Sequence, residues 1–126
     1  MKRIALVEDN PDNRLLVHAI LEDDYEIVDY VSGPDALTGM QNDTPSIVLL
    51  DISLPVMDGT EVLRNIRRTP GIAHLPVVAL TAHAMAGDRE RYLGMGFDAY
   101  VTKPIVDETI LIGEIKRLLD EERADG

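Results

Sequence analysis

Four separated stretches of this chain carry side chains suited to chemistry. Glu8 and Asp9 follow the apolar run Ile4–Val7, and Asp51 ends the run Ile47–Leu50. Thr81 closes the stretch LPVVALT, and Lys103, followed by Pro104, comes just after the short run Ala99–Thr102. Three carboxylates brought together repel one another, and burial raises their pKa values unless a cation neutralises them. An all-oxygen donor set in a small open cluster points to Mg²⁺, which binds through one or two carboxylates and keeps waters or phosphate oxygens. The backbone carbonyl of Ser53, two residues past Asp51, is the candidate for completing that shell. Taken singly, each residue has a plainer use. Glu8 and Asp9 suit the positive end of a helix, Lys103 suits a salt bridge to Asp51, and Thr81 suits the end of a strand. Taken together they suit a carboxylate nucleophile at Asp51 that accepts a phosphoryl group. Lys103 and a divalent ion would then offset the added charge, while Thr81 hydrogen-bonds a phosphoryl oxygen.

That reading requires all four stretches to end on one rim, and the alternation of the sequence predicts that they do. IVLLD is a short apolar run bounded by turn residues, the pattern of a strand buried on both faces of a parallel sheet. The other strands are read at Arg3–Val7, Tyr25–Val31, Leu75–Thr81 and Ala99–Thr102. Tyr25–Val31 carries Glu26 and Asp29, which places it nearer an edge. Helical segments separate the strands. Asn10 caps the first, with Pro11 in its opening turn and Leu15, Leu16, Ala19 and Ile20 at one-face spacing. Ser32, Gly33 and Pro34 open the second. Asp58 starts the third, with Glu61 three residues on and Val62, Leu63 and Ile66 as its buried stripe. The fourth, Ala84–Leu93, has Gly87 inside and a thin apolar face, so it is expected to be the least stable. Gly96 suits a left-handed cap after it. The fifth begins at Asp107, buries Leu111, Ile115, Leu118 and Leu119, and frays through EERADG. Five βα units with long connections imply parallel pairing and right-handed crossovers. The carboxyl ends of the strands in such a three-layer sandwich are where open α/β sheets keep their active chemistry.

Composition narrows the function classes. The 126 residues read as one domain, 1–126, with no output domain attached. A net charge of −11 disfavours nucleic acid and anionic membranes as partners. The absence of cysteine excludes disulfides, thiolate nucleophiles and zinc–thiolate sites. The apolar run Ile4–Val7 is too short for a signal peptide, and no stretch approaches the roughly 20 apolar residues of a membrane span. The expected location is the cytoplasm. His18 and His74 lack metal-ligand spacing and read as surface residues.

With VEDN, LLDISLPVMDG, ALTAHA and GFDAYVTKP on five βα units, the chain resembles the receiver domain of two-component response regulators over essentially its whole length. The resemblance implies a flavodoxin-like fold with strand order 2-1-3-4-5. It implies that Asp51 is phosphorylated from a phosphohistidine on a sensor histidine kinase or a histidine phosphotransfer protein. The cofactor implied is Mg²⁺, for which Mn²⁺ can substitute, held by Glu8, Asp9, Asp51 and the Ser53 carbonyl. A cis peptide between Lys103 and Pro104 is implied too. Thr81 and Tyr100 would be a switch pair, Thr81 moving toward the phosphoryl group and Tyr100 turning inward behind it. The surface of the fourth helix, fifth strand and fifth helix would change as a population shift. Ser53 and His83 lie where the family tunes loss of the phosphoryl group, and Glu8 stands where many relatives have aspartate. The implied protein is a single-domain phosphorelay component, monomeric or weakly dimeric, that docks on a downstream protein. It is no enzyme beyond its own phosphorylation and slow dephosphorylation.

Three other readings compete. An aspartyl-phosphate hydrolase would want a second Asp two residues past the nucleophile as general acid and base, where Ser53 stands. A flavin carrier on this fold would want a glycine- and hydroxyl-rich loop where EDNPDN is found. The third alternative is an interaction module that keeps the fold without being phosphorylated.

Overall fold

The computed structural model describes residues 1–82 and 85–125, with side chains through Leu119. Five strands, β1 (Arg3–Val7), β2 (Glu26–Tyr30), β3 (Ile47–Asp51), β4 (Val77–Thr81) and β5 (Ala99–Thr102), form one parallel sheet in the order 2-1-3-4-5. The helices are α1 (Pro11–Leu21), α2 (Gly33–Asn42), α3 (Gly59–Arg68), α4 (Asp88–Met95) and α5 (Glu108–Asp125). This is the flavodoxin-like three-layer sandwich.

Side-chain alternation explains the layers. In β3 and β4 every residue is buried, as a strand covered on both faces must be. One face, through Val48, Leu50, Val77 and Ala79, packs against Ala36 and Met40 of α2, Val62 and Ile66 of α3, and Tyr92 of α4. The opposite face, through Leu49, Val78 and Leu80, packs against Val17 and Leu21 of α1 and Leu111, Ile115 and Leu119 of α5. β2 is an edge strand whose Glu26 and Asp29 are exposed, in keeping with its polar residues.

The helix starts follow their caps. Asn10 accepts hydrogen bonds from the amides of Asp12 and Asn13, Ser32 accepts one from Asp35, and Asp58 accepts from Thr60 and Glu61. Three elements differ from the sequence expectation in ways that bear on the site. On α1 the buried residues are Val17 and Leu21, while Leu15 is 71% exposed. An apolar stripe drawn through Leu15 and Leu16 therefore points to solvent. α4 begins at Asp88 rather than upstream, because Gly87 has φ +85° and ends the preceding turn as a cap instead of sitting inside the helix. Ala84 lies outside the described residues. β4 likewise starts at Val77, two residues later than expected, beyond Pro76, which has no amide to donate to a ladder.

Candidate functional site

Parallel register brings the strand ends level. Val7 pairs with Leu50, Asp51 with Leu80, and Thr81 with Thr102. Glu8, Asp51, Thr81 and Lys103 therefore leave the sheet at one rim. The chain cross-links this rim through its backbone: the Lys103 amide donates to the Thr81 carbonyl at 2.7 Å, and the Ile52 amide to Leu80 at 2.9 Å. The Lys103–Pro104 peptide is cis.

Lys103 Nζ lies 3.0 Å from Glu8 Oε1 and 3.2 Å from Asp51 Oδ2. The sequence paired Lys103 with Asp51; the structure gives it both acids, Glu8 at the shorter distance. Glu8 is held at every polar atom. Its second carboxylate oxygen accepts from the Asn10 amide at 3.3 Å, its amide donates to Tyr30, and its carbonyl accepts from Arg14 Nη1 at 2.9 Å. Asp51 Oδ1 accepts from the Ser53 amide at 3.0 Å. The loop after Asp51 then folds back: the Gly59 amide donates to the Ile52 carbonyl, and a Cβ on Gly59 would lie 2.5 Å from the Asp51 carbonyl oxygen. Only glycine allows that approach.

Glu8 and Asp51 are almost completely buried, at 1% and 2% exposure, and Asp9 is exposed. Carboxylate oxygens of the three lie within 4.8 Å of one another. Three acids against one ammonium leave about two negative charges unbalanced. Burial pushes the Glu8 carboxyl above its ordinary pKa, Asp51 beside it adds to the rise, and Lys103 opposes it. Burial works to lower the Lys103 pKa, but its hydrogen bond to Glu8 and the charge of Asp51 outweigh that and raise it. An oxygen-only cluster short of about two positive charges, one member open to solvent, fits a hard divalent cation such as Mg²⁺.

Thr81 is buried at the end of β4, one residue beyond the Asp51–Leu80 pair. Tyr100 sits in β5 opposite Ala79, half-buried, on the side of the sheet that faces α4. Its ring stacks on Tyr92 at 5.8 Å with an interplanar angle of 19°. Ser53 is exposed next to Asp51. His83 lies outside the described residues. His74 is exposed, whereas His18 is half-buried and bonded to Asp29 at 2.8 Å, away from the acidic cluster.

Sequence reasoning missed three features here. Arg14 is a cation in α1 that fastens the Glu8 carbonyl, and a helical residue six positions past Glu8 gives no signal of it. Tyr92 supports Tyr100 through tertiary packing alone. Val56, 96% exposed with φ +69°, holds a conformation that β-branched residues rarely adopt, and nothing but its place after Pro55 in a tight loop hints at this.

Parallel order 2-1-3-4-5 with acids, hydroxyl and lysine at one rim defines an open α/β domain of the flavodoxin-like class, its polar cluster at the carboxyl ends of the strands. The model of the response regulator receiver domain family matches residues 4–115, and the chain belongs to that family. It is 41% identical over 112 residues to the sensor protein GacS of Pseudomonas syringae pv. syringae, covering 86% of this chain but 12% of that protein. The chain thus spans only about an eighth of that protein's length. It is 39% identical over 105 residues to the polar-differentiation response regulator DivK of Brucella ovis, covering 82% of this chain and 85% of DivK. Among solved structures, the receiver domain of the sensor histidine kinase PA1611 from Pseudomonas aeruginosa PAO1 superposes with a TM-score of 0.85 at 33% identity. The match covers 94% of this chain and 98% of that one, which carries a magnesium ion coordinated in its active site cleft. Receiver domains are signalling domains of two-component phosphorelays rather than enzymes that turn over a free substrate. Among the described residues, no helix is long and apolar enough to cross a membrane.

Proposed function

We propose that this chain is a phosphoacceptor whose reactive group is Asp51. The donor is a phosphohistidine on a sensor histidine kinase or a histidine phosphotransfer protein. An Asp51 carboxylate oxygen attacks phosphorus, a P–O bond forms, the P–N bond breaks, and its electron pair returns to the imidazole. The observation that carries the reading is the convergence of buried Glu8, Asp51 and Lys103 with Asp9 at one sheet rim. Mg²⁺ or Mn²⁺, held by Glu8, Asp9, Asp51 and the Ser53 carbonyl, would supply the positive charge that offsets the transferring group. Lys103 meets the same charge from the other side, and the Ser53 amide orients Asp51. Thr81 hydrogen-bonds a phosphoryl oxygen, and Tyr100 turns inward behind it. Ser53 and His83 set how fast water removes the group.

Lys103 and Glu8 border an apolar recess shared with Leu16, Pro104 and Ile105. Exposed Leu15 and Val106, neighbours in sequence of the lining residues Leu16 and Ile105, add apolar surface that supports docking of a protein donor. In the cytoplasm, this domain signals by docking on a downstream protein through the surface of α4, β5 and α5. It does so as a monomer or weak homodimer, without nucleic acid or membrane. The test is the intact mass after incubation with acetyl phosphate and Mg²⁺. Wild type should gain one phosphoryl group, lost on chelation of the metal, and Asp51→Asn should gain none. A wild type that stays unmodified would instead favour an interaction module.

A further inference from the structure

Away from the rim, a side chain is buried without being fully satisfied. The Tyr100 hydroxyl is buried and has no hydrogen-bond partner among the described residues. A buried hydroxyl without a partner opposes its own position. What keeps the ring there is packing, and the contact is specific: Tyr92 of α4, 6% exposed, lies nearly parallel to it at 5.8 Å. Tyr92 is itself fixed by three contacts from two neighbours. Phe97 meets its ring edge-to-face at 5.9 Å, the Arg91 guanidinium lies 4.7 Å from its centroid, and Arg91 Nη2 donates to its hydroxyl at 2.7 Å. Arg91 is in turn 3.8 Å from Asp88, the residue that accepts the Met85 amide at the entry to α4. A continuous set of contacts thus runs from the start of α4 to the Tyr100 ring.

We infer that Tyr92 is a positioning residue that holds Tyr100 in its buried orientation and so raises the affinity of the Asp51 site for a phosphoryl group. The inference rests on the proposed switch, in which the phosphorylated site and a buried Tyr100 favour each other. Any group that stabilises one partner of such a pair tightens binding at the other by the same factor. Offset aromatic pairs contribute enough beyond buried area to shift an equilibrium roughly twofold to tenfold. Phosphorylation at the rim and the position of α4 are then linked through two stacked rings.

The experiment is calorimetric titration of the Mg²⁺-loaded protein with beryllium fluoride, a mimic of the phosphoryl group, alongside titration with Mg²⁺ alone. Tyr92→Leu should weaken the mimic roughly twofold to tenfold and leave Mg²⁺ affinity unchanged. Tyr92→Phe, which keeps the ring, should behave as wild type. In a Tyr100→Ala background, Tyr92→Leu should have no further effect. The inference is overturned if Tyr92→Leu binds the mimic as wild type does, if it weakens Mg²⁺ equally, or if its effect persists without Tyr100. Failure of the underlying phosphoacceptor reading looks different: wild type itself would then bind no mimic, or Asp51→Asn would bind it as well.

Discussion

The two ends of the Asp51–Tyr100 system are built in opposite ways. Around Asp51, polar atoms are tied down: Glu8 is bonded through both carboxylate oxygens, its amide and its carbonyl, and Lys103 bridges two acids. At α4 the entry is held differently: Asp88 accepts the Met85 amide, but no side chain caps the helix itself. Gly87 makes no side-chain cap, whereas Asn10, Ser32 and Asp58 each cap theirs. The far end of α4 is secured, because Gly96 closes it at φ +117° and its carbonyl accepts from Arg67, which also holds Asp98. Among the described residues, α4 is therefore held more firmly at the end away from the rim than at the end beside it. A rigid acceptor next to a helix held more firmly at its distant end is the arrangement in which a local charge change moves one element and leaves the rest in place.

The comparison is broken most strongly at Lys103. Lys103→Met leaves two buried carboxylates facing each other, and removing one partner of a buried ion pair costs about 3–5 kcal/mol. Urea unfolding in the presence of a chelator should show a loss approaching that size, and Mg²⁺ should restore more stability to the variant than it adds to wild type. Equal Mg²⁺ effects on the two proteins would mean that the rim is not held together by balancing charge.

A smaller effect is expected at α3, the well-capped counterpart of α4. Asp58→Ala removes the acceptor for the Thr60 and Glu61 amides and should cost about 1 kcal/mol in urea unfolding. The Asp58 carboxyl is held below its ordinary pKa, first by the Thr60 hydroxyl and further by those amides, while slight burial opposes. A depressed carboxyl contributes stability that is present above its unfolded pKa and lost as pH falls through the folded one. Below about pH 4 the gap between wild type and Asp58→Ala should therefore narrow. A constant gap would mean that the cap does not depend on the charge of the Asp58 carboxyl.

How much of this was legible beforehand follows the kind of interaction involved. The strands and the rim were readable because burial on both faces demands unbroken apolar runs, and such runs end where a charge appears, as at Asp51 and Lys103. Caps were readable because Asn10, Ser32 and Asp58 act on amides two or three residues away. What failed was whatever depends on rotation about a helix axis or on distant packing. Leu15 and Val17 are both apolar, and only the seating of α1 on the sheet decides that Val17 is buried. Gly87 could be an interior or a terminal residue by composition, and its positive φ decided the matter. The Arg14–Glu8 bond and the Tyr92–Tyr100 stack join residues six positions or eight positions apart whose pairing no local pattern encodes.

The finest test of the contrast lies within α4 itself, where two glycines should respond with opposite sign. Gly94 is exposed inside the helix, and a Cβ there meets nothing within 4 Å. Gly94→Ala should stabilise the helix by roughly 0.5–1 kcal/mol through the lower entropy of the unfolded chain. A Cβ at Gly87 also meets nothing, but φ +85° sets alanine about 1 kcal/mol uphill there. Because no side chain caps the entry to α4, both changes should be read locally, as slower amide hydrogen exchange in α4 for Gly94→Ala and faster exchange for Gly87→Ala. Exchange in α3 and the urea midpoint should scarcely move. If instead both variants shifted the global midpoint as much as the α4 amides, α4 would unfold only with the whole domain, and the helix could not serve as the part that moves.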